Sequence, residues 1–209
     1  MSQIALPFAV GGAFGSSRIV VGVANSAVLE ACAAAASWPF RTAILFGPPR
    51  SGKSLIAALF ATSGPDQGGG EAIDDADRLD ETELFHRWNR AQESGTPLLL
   101  VRASGEGDWA IKLPDLASRI AAAQPLEIGT PDDEQLASLI GIHAQSRALA
   151  LGPDAAEYLV PRTERSHLAV ERLVETIDRL SLERKQAPTL GIWREALEAL
   201  HGPAEPRLL

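Results

Sequence analysis

Cysteine and long apolar runs are scarce in this sequence, and positive charge is in the minority. Cys32 is the only cysteine among 209 residues, which excludes an intramolecular disulfide and a zinc site built from cysteine pairs. No apolar run reaches the length of about 18 residues that a membrane span requires, and no leader opens the chain, so we expect a cytoplasmic protein with no membrane partner. Basic residues number 19 against 27 acidic ones, and the net charge of -8 argues against non-specific binding to nucleic acid.

The rest of the composition is that of a chain that folds around a core. Hydrophobic residues make up 45% of the sequence and charged residues 22%, both near the average for soluble domains. The length allows one sizeable domain with a small additional unit. We predict an extended arm over residues 1–13, an α/β core over 14–128 and a helical lid over 129–209.

Short apolar runs alternate with helical patterns in the predicted core. Thr42–Phe46 and Leu98–Val101 have the uninterrupted apolar character of buried parallel strands, and a third strand is predicted at Leu126–Ile128. Helices are predicted from Asn25 or Ser26 to Trp38, over residues 55–61, and around residues 84–91. This alternation predicts an αβα layered core with a parallel sheet. Thr130 is the predicted N-cap of a helix whose first residue is Pro131, and only helical signals follow.

The most specific motif, G-x-x-x-x-G-K-[ST], spans Gly47 to Ser54 between a predicted strand and a predicted helix. In this motif backbone N–H groups surround phosphate oxygens, Lys53 reaches the β- and γ-phosphates, and the Ser54 hydroxyl ligates Mg²⁺. With this composition, on the order of 0.002 accidental matches are expected. We therefore predict bound ADP or ATP with Mg²⁺. The residues assigned to nucleotide binding are Gly47, Pro48, Arg50, Ser51, Gly52, Lys53, Ser54 and Leu55.

A partner for the metal is expected at the end of a neighbouring strand. Asp74 is the candidate for holding Mg²⁺ through water, and Asp75 is a poorer substitute for a residue that polarises water. The alternative is an acidic surface loop, because Gly68, Gly69 and Gly70 stand where a buried strand would begin. Only 21 positions separate Lys53 from Asp74. This leaves no room for another strand and helix, so we predict a trimmed sheet and weak or absent hydrolysis.

Several segments together resemble the AAA+ module of the DnaA family of bacterial replication initiators, most closely its Hda-type branch of regulatory inactivators. The first segment contains Val20, Val21, Gly22 and Asn25, and the second is the phosphate-binding loop, or P-loop, from Gly47 to Ser54. The others are LPDLASRI from Leu113 to Ile120 and the stretch from Arg165 to Ser181. The resemblance covers roughly residues 3 to 200. It implies an AAA+ fold, with Val20 and Val21 beside the adenine, although an ordinary loop would also account for these two residues.

The same resemblance implies roles for two arginines and one serine. Arg119 matches the arginine finger, which one subunit offers to the γ-phosphoryl group held by another. The alternative for Arg119 is a helix-surface arginine paired with Asp115. Arg165 matches the sensor-2 arginine that contacts phosphates from the lid, and Ser104 lies near the sensor-1 position.

The arm carries a further segment of the resemblance. Gln3, Leu6, Pro7 and Phe8 match a sliding-clamp-binding peptide of the form Q-x-x-L-x-F, and Pro7 lowers the cost of ordering it. The alternative is a terminal strand that docks on the chain's own sheet. The implied partners are DnaA and the β sliding clamp of DNA polymerase III, with DNA reached only through the clamp. The resemblance also allows a homodimer.

The function that the resemblance implies is negative regulation of replication initiation, by stimulating hydrolysis of DnaA-bound ATP. The alternatives are a free-standing P-loop ATPase or kinase, and an adaptor like a helicase loader. Because the chain ends at Leu209 after the lid, direct recognition of origin DNA is not expected. The histidines and tryptophans are predicted to be packing residues: His86, His143, His167, His201, Trp88, Trp109 and Trp193.

Overall fold

The computed structural model describes residues 19–63, 69–103 and 109–201. Within these ranges a parallel sheet has the strand order β2-β3-β1-β4. Its strands are β1 (Thr42–Phe46), β2 (Glu71–Ile73), β3 (Leu98–Val101) and β4 (Gln124–Glu127). The helices of the core are α1 (Ser26–Ala33), α2 (Lys53–Thr62), α3 (Glu81–Ser94) and α4 (Pro114–Ala121). Those that follow are α5 (Asp133–Ser146), α6 (Pro153–Leu159), α7 (His167–Arg184) and α8 (Leu190–His201).

Alternating side chains of β3 divide the core into two layers. Leu99 and Val101 pack in the cluster that includes residues of α1 and α2, whereas Leu98 and Leu100 pack with residues of α3 and α4. This is the consequence of the two-residue period of a strand, which sends neighbouring side chains to opposite faces. Because both faces are covered, all four residues of β3 are buried, as its unbroken apolar run predicts. The predicted αβα architecture is confirmed.

Helices α5 to α8 contribute a separate apolar cluster. It contains Leu136 and Ile140 of α5, together with Leu173 and Ile177 of α7 and Trp193 of α8. The predicted helical character of this part of the chain is confirmed. None of the helices in the described part of the chain is long and apolar enough to cross a membrane.

Two predicted helix boundaries are wrong, and local geometry explains each. Helix α1 ends at Ala33, and Trp38 is extended because the following Pro39 disfavours helical geometry before it. Helix α5 begins at Asp133, because the carboxylate of Asp132 accepts a hydrogen bond from the Gln135 backbone N–H at 2.8 Å. Asp132, rather than Thr130, is therefore the N-cap.

Gly70, before Asp74, has a structural purpose that its place in the sequence does not reveal. Strand β2 does form, and it pairs with β3 in parallel register. A Cβ atom on Gly70 would lie 2.2 Å from the Pro97 carbonyl oxygen, which itself accepts a hydrogen bond from the Glu71 N–H at 2.8 Å. The glycine thus allows two backbone segments to approach closely at the start of the strand.

We expect Gly70→Ala to destabilise the protein by about 1–3 kcal/mol, since the new methyl group must displace backbone. Gly141→Ala on α5 is the matched control, because a Cβ atom there meets nothing within 4 Å. The control should be neutral or more stable, since alanine favours a helix over glycine. Urea unfolding of both variants measures the effect; equal stability of the two would contradict this account of Gly70.

Candidate nucleotide-binding site

The loop from Gly47 to Gly52 joins β1 to α2 and needs glycine at both of its ends. Gly47 has φ +152°, and a Cβ atom there would lie 2.9 Å from the carbonyl oxygen of Ile128, the residue after β4. Gly52 has φ +89° and directly precedes the first residue of α2. The loop therefore surrounds the N-terminus of α2, where backbone N–H groups are available to phosphate oxygens.

Lys53 is buried and held by the loop itself. Its Nζ donates hydrogen bonds to the carbonyl oxygens of Gly47 at 3.0 Å and Pro48 at 2.8 Å. Burial lowers the pKa of Lys53, while the nearby carboxylates of Asp74 and Asp75 act in the opposite direction. The lysine is thus positioned at the opening of the loop, where a phosphate group would lie.

A cavity of about 480 Å³ opens over this loop, which we call the phosphate cavity. Asp74 and Asp75, which follow β2, face Lys53 and Ser54 across it. The structure therefore brings together the residues predicted to bind phosphate and metal. The lining residues are Arg50, Ser51, Gly52, Lys53, Ser54, Leu55, Asp74, Asp75, Arg102, Ala103, His143 and Glu171.

The donor set of this cavity suits a magnesium nucleotide. The Ser54 hydroxyl and the Asp74 carboxylate supply the hard oxygen ligands that Mg²⁺ prefers. Ser51 Oγ is buried and has no hydrogen-bond partner among the described residues, as expected of an atom that a ligand completes. Lys53, Ser54 and Asp74 are the residues that would hold the phosphates and the metal ion.

A second cavity of about 160 Å³ adjoins the first, and we call it the base cavity. Val20 lines it, whereas Val21 does not and is half exposed. Their predicted position beside the adenine stays a prediction. Asn25 Nδ2 donates to the Val20 carbonyl oxygen at 2.9 Å, which fixes this segment beside the loop. The lining residues are Ile19, Val20, Asn25, Arg50, Ser51, Gly52, Leu55, Ile56, Leu139, Ile142, His143 and His167.

An ion pair crosses the opening of the phosphate cavity. The guanidinium of Arg50 donates from Nε and Nη2 to the two carboxylate oxygens of Glu171 on α7. These hydrogen bonds hold the pKa of Glu171 below its ordinary value. Arg50 also has φ +64°, a left-handed conformation that costs about 1–2 kcal/mol in a non-glycine residue. The loop thus keeps a strained residue at the position that contacts α7.

The interpretation of two histidines as packing residues alone is incomplete. His143 of α5 lines both cavities, and His167 of α7 lines the base cavity. Burial lowers the pKa of both imidazoles. No local pattern identifies them, because each reaches the loop from a helix about 100 positions further along the chain. Arg102 and Ala103, at the end of β3, were also missed and line the phosphate cavity.

The structure places the sensor-2 candidate away from both cavities. Arg165 forms an ion pair with Asp133 at 2.7 Å, and both side chains are more than half exposed. From α7, the residues that line the cavities are His167 and Glu171 instead. The sensor-2 role of Arg165 therefore stays a prediction.

Arg119 of α4 lies against α3, in the layer on the other face of the sheet from α1 and α2. Its Nη1 donates to Asn89 Oδ1 at 2.5 Å, and its guanidinium lies 4.5 Å and 4.2 Å from the ring centres of Phe85 and Trp88. Its observed partners are these residues of α3, whereas the packing alternative paired it with Asp115. Arg119 lines neither cavity, and its role as a finger stays a prediction.

The arm residues Gln3, Leu6, Pro7 and Phe8, and Ser104 at the proposed sensor-1 position, lie outside the described residues. Their assigned roles stay predictions.

The parallel sheet, the phosphate loop and the C-terminal helices define the class: the chain has the fold of AAA+ nucleotide-binding domains. Domain III of the replication initiation protein DnaA from Thermotoga maritima superposes with a TM-score of 0.67 at 17% identity, covering 88% of this chain and 95% of that one. A variant of RuvB from the same organism has a TM-score of 0.59 at 20% identity, covering 85% and 68%. A DnaA structure bound to AMPPCP and single-stranded DNA has a TM-score of 0.56 at 18% identity, covering 80% and 66%.

Sequence comparison finds partial similarity to curated proteins. An uncharacterized protein of Haemophilus influenzae is 29% identical over 118 residues, which are 56% of this chain and 51% of that protein. The chain thus matches about half the length of this relative. No family model matches the sequence.

Proposed function

We propose that this chain is an Hda-type regulator, a nucleotide-bound AAA+ protein that stimulates hydrolysis of DnaA-bound ATP. In this proposal the chain holds ADP or ATP with Mg²⁺ in its own P-loop and offers Arg119 to the nucleotide of DnaA. Residues 3–8 attach it to the β sliding clamp. The observation that carries the proposal is the separation of these parts: a complete phosphate-binding loop at one place and an arginine stacked on aromatic rings at another.

The phosphate cavity supports stable nucleotide binding better than rapid hydrolysis. Lys53, Ser54 and Asp74 supply a phosphate contact and metal ligands. The residue after Asp74 is Asp75, which has φ +49° and forms an ion pair with Arg78 at 3.4 Å. A carboxylate held in this way is a poor candidate for orienting an attacking water. We therefore propose that the chain's own turnover is slow and that its nucleotide has a structural role.

The position of Arg119 supports action on another subunit. An arginine stacked over aromatic rings keeps its charge and the planar array of donors that matches phosphate geometry. Arg119 is absent from the residues that line the chain's own phosphate cavity. To neutralise charge in a partner's site, Arg119 would exchange its hydrogen bond with Asn89 for contacts with phosphate oxygens. Arginines in that position raise hydrolysis by about 10³- to 10⁵-fold.

The experiment measures hydrolysis of ATP prebound to DnaA, with clamp loaded on DNA, in the presence and absence of this chain. We expect acceleration that requires the clamp and is lost in the double variant Leu6→Ala, Phe8→Ala. That variant should still bind ADP, because its substitutions lie in the arm. Clamp binding without acceleration would favour the adaptor function. If the chain neither binds the clamp nor accelerates hydrolysis, a free-standing P-loop ATPase or kinase is favoured.

A further inference from the structure

The base cavity contains two buried polar atoms that lack hydrogen-bond partners among the described residues. They are Ser51 Oγ and His167 Nδ1, on side chains of residues only 4% and 5% exposed. Ser51 belongs to the P-loop and His167 is the first residue of α7. Buried polar groups in folded proteins nearly always have partners, and these two residues line a cavity in which a ligand can supply one.

The two residues differ in the cavities that they line. Ser51 also lines the phosphate cavity, whereas His167 lines the base cavity and not the phosphate cavity. Burial lowers the pKa of His167, and electrostatic interactions with His143 and Lys53 act in the same direction. A neutral imidazole has one donor and one acceptor nitrogen, which suits an uncharged partner better than a phosphate group.

Asn25, another polar residue that lines this cavity, is already engaged. Asn25 accepts a hydrogen bond from the Gly22 N–H at 2.9 Å through Oδ1, and its Nδ2 donates to Val20. The rest of the lining combines Arg50 and His143 with apolar residues, which suit the faces of a flat aromatic base. The apolar residues are Ile19, Val20, Leu55, Ile56, Leu139 and Ile142.

We infer that His167 is a nucleoside-binding residue, whose Nδ1 forms a hydrogen bond with the base or ribose of the nucleotide held by the P-loop. This inference rests on the proposed nucleotide site and names the contact that α7 makes with it. It gives the C-terminal helices a way to sense the nucleotide through its nucleoside end.

Titration calorimetry of the full chain with ADP and with inorganic pyrophosphate separates the two ends of the ligand. His167→Phe keeps an aromatic ring and removes the polar atoms, so we expect ADP affinity to fall by roughly 3- to 10-fold, the worth of one hydrogen bond. Pyrophosphate affinity should be unchanged. His167→Asn, which restores an amide near the position of Nδ1, should recover most of the ADP affinity.

The matched control is Ser181→Ala. Ser181 lies on the same helix, is similarly buried and also lacks a side-chain partner for its Oγ among the described residues, but it lines neither cavity. This variant should bind ADP and pyrophosphate like the natural chain. Should ADP binding by His167→Phe be unchanged, or should both ligands weaken equally, the inference is overturned.

A measurement on the natural chain avoids dependence on a folded variant. In ¹⁵N NMR spectra, ADP should shift the imidazole nitrogens of His167 and pyrophosphate should leave them in place. The absence of an ADP-specific shift would overturn the inference. These assays need neither DnaA nor the clamp, so a failure to stimulate DnaA leaves the inference standing. If the chain binds neither ADP nor pyrophosphate, the nucleotide site and the inference fall together.

Discussion

Replacing Lys53 by alanine is expected to lower the affinity for ADP by at least about 100-fold, since each hydrogen bond between charged groups contributes about 1.5–3 kcal/mol. In the structure the Lys53 Nζ is bonded to the carbonyl oxygens of Gly47 and Pro48, at the opening of the loop. A bound phosphate group would exchange these neutral acceptors for charged ones. Isothermal titration calorimetry with ADP and Mg²⁺ measures the loss.

Two controls separate this effect from unfolding. Lys112→Ala removes an exposed lysine that lines neither cavity, and its ADP affinity should equal that of the natural chain. Thermal melting without nucleotide should show that the Lys53→Ala protein still folds, with a modest loss of stability from the two carbonyl groups left without this donor. Retention of ADP affinity within about threefold by a folded Lys53→Ala protein would mean that the loop does not bind phosphate.

Replacing Arg119 by alanine is expected to remove the stimulation of DnaA-bound ATP hydrolysis while leaving ADP binding unchanged. An arginine that neutralises the transferring phosphoryl group is worth about 10³- to 10⁵-fold in rate, so its loss should return hydrolysis nearly to the unstimulated level. ADP binding should persist, because Arg119 lines neither cavity. Single-turnover hydrolysis of ATP prebound to DnaA, with clamp on DNA, checks the prediction.

The Arg119 prediction has a matched control in another stacked arginine. The guanidinium of Arg162 lies 4.1 Å from the ring centre of Tyr158, so Arg162→Ala removes a comparable cation–π contact. Stimulation by that variant should be intact. Arg119→Lys should also fail to stimulate fully, because lysine keeps the charge but lacks the planar fork of donors. Full stimulation by Arg119→Ala would show that another group completes the DnaA site.

The agreement between sequence and structure is closest where one short segment decides the outcome. The predicted bounds of β1 and β3 are those observed, since unbroken apolar runs next to glycine or proline define buried strands. The predicted start of α5 is wrong because Thr130 and Asp132 both satisfy the pattern of a cap, and only the hydrogen bond of Asp132 distinguishes them. The glycines before β2 are misleading in the sequence because their purpose is to let residues 70 and 97 approach each other.

The phosphate loop was predictable because its chemistry is contained in eight consecutive residues, Gly47 to Ser54, with glycines where the backbone needs them. Local sequence determined the strands, the loop and the helical character of the C-terminal part, since each depends on neighbours along the chain. Only the tertiary structure placed His143, His167 and Glu171 against that loop and Arg119 on the rings of α3. Those contacts join segments that are separated in the sequence and are brought together by the packing of apolar helix faces. The spacing of the contacting polar residues along the chain therefore does not predict the contacts.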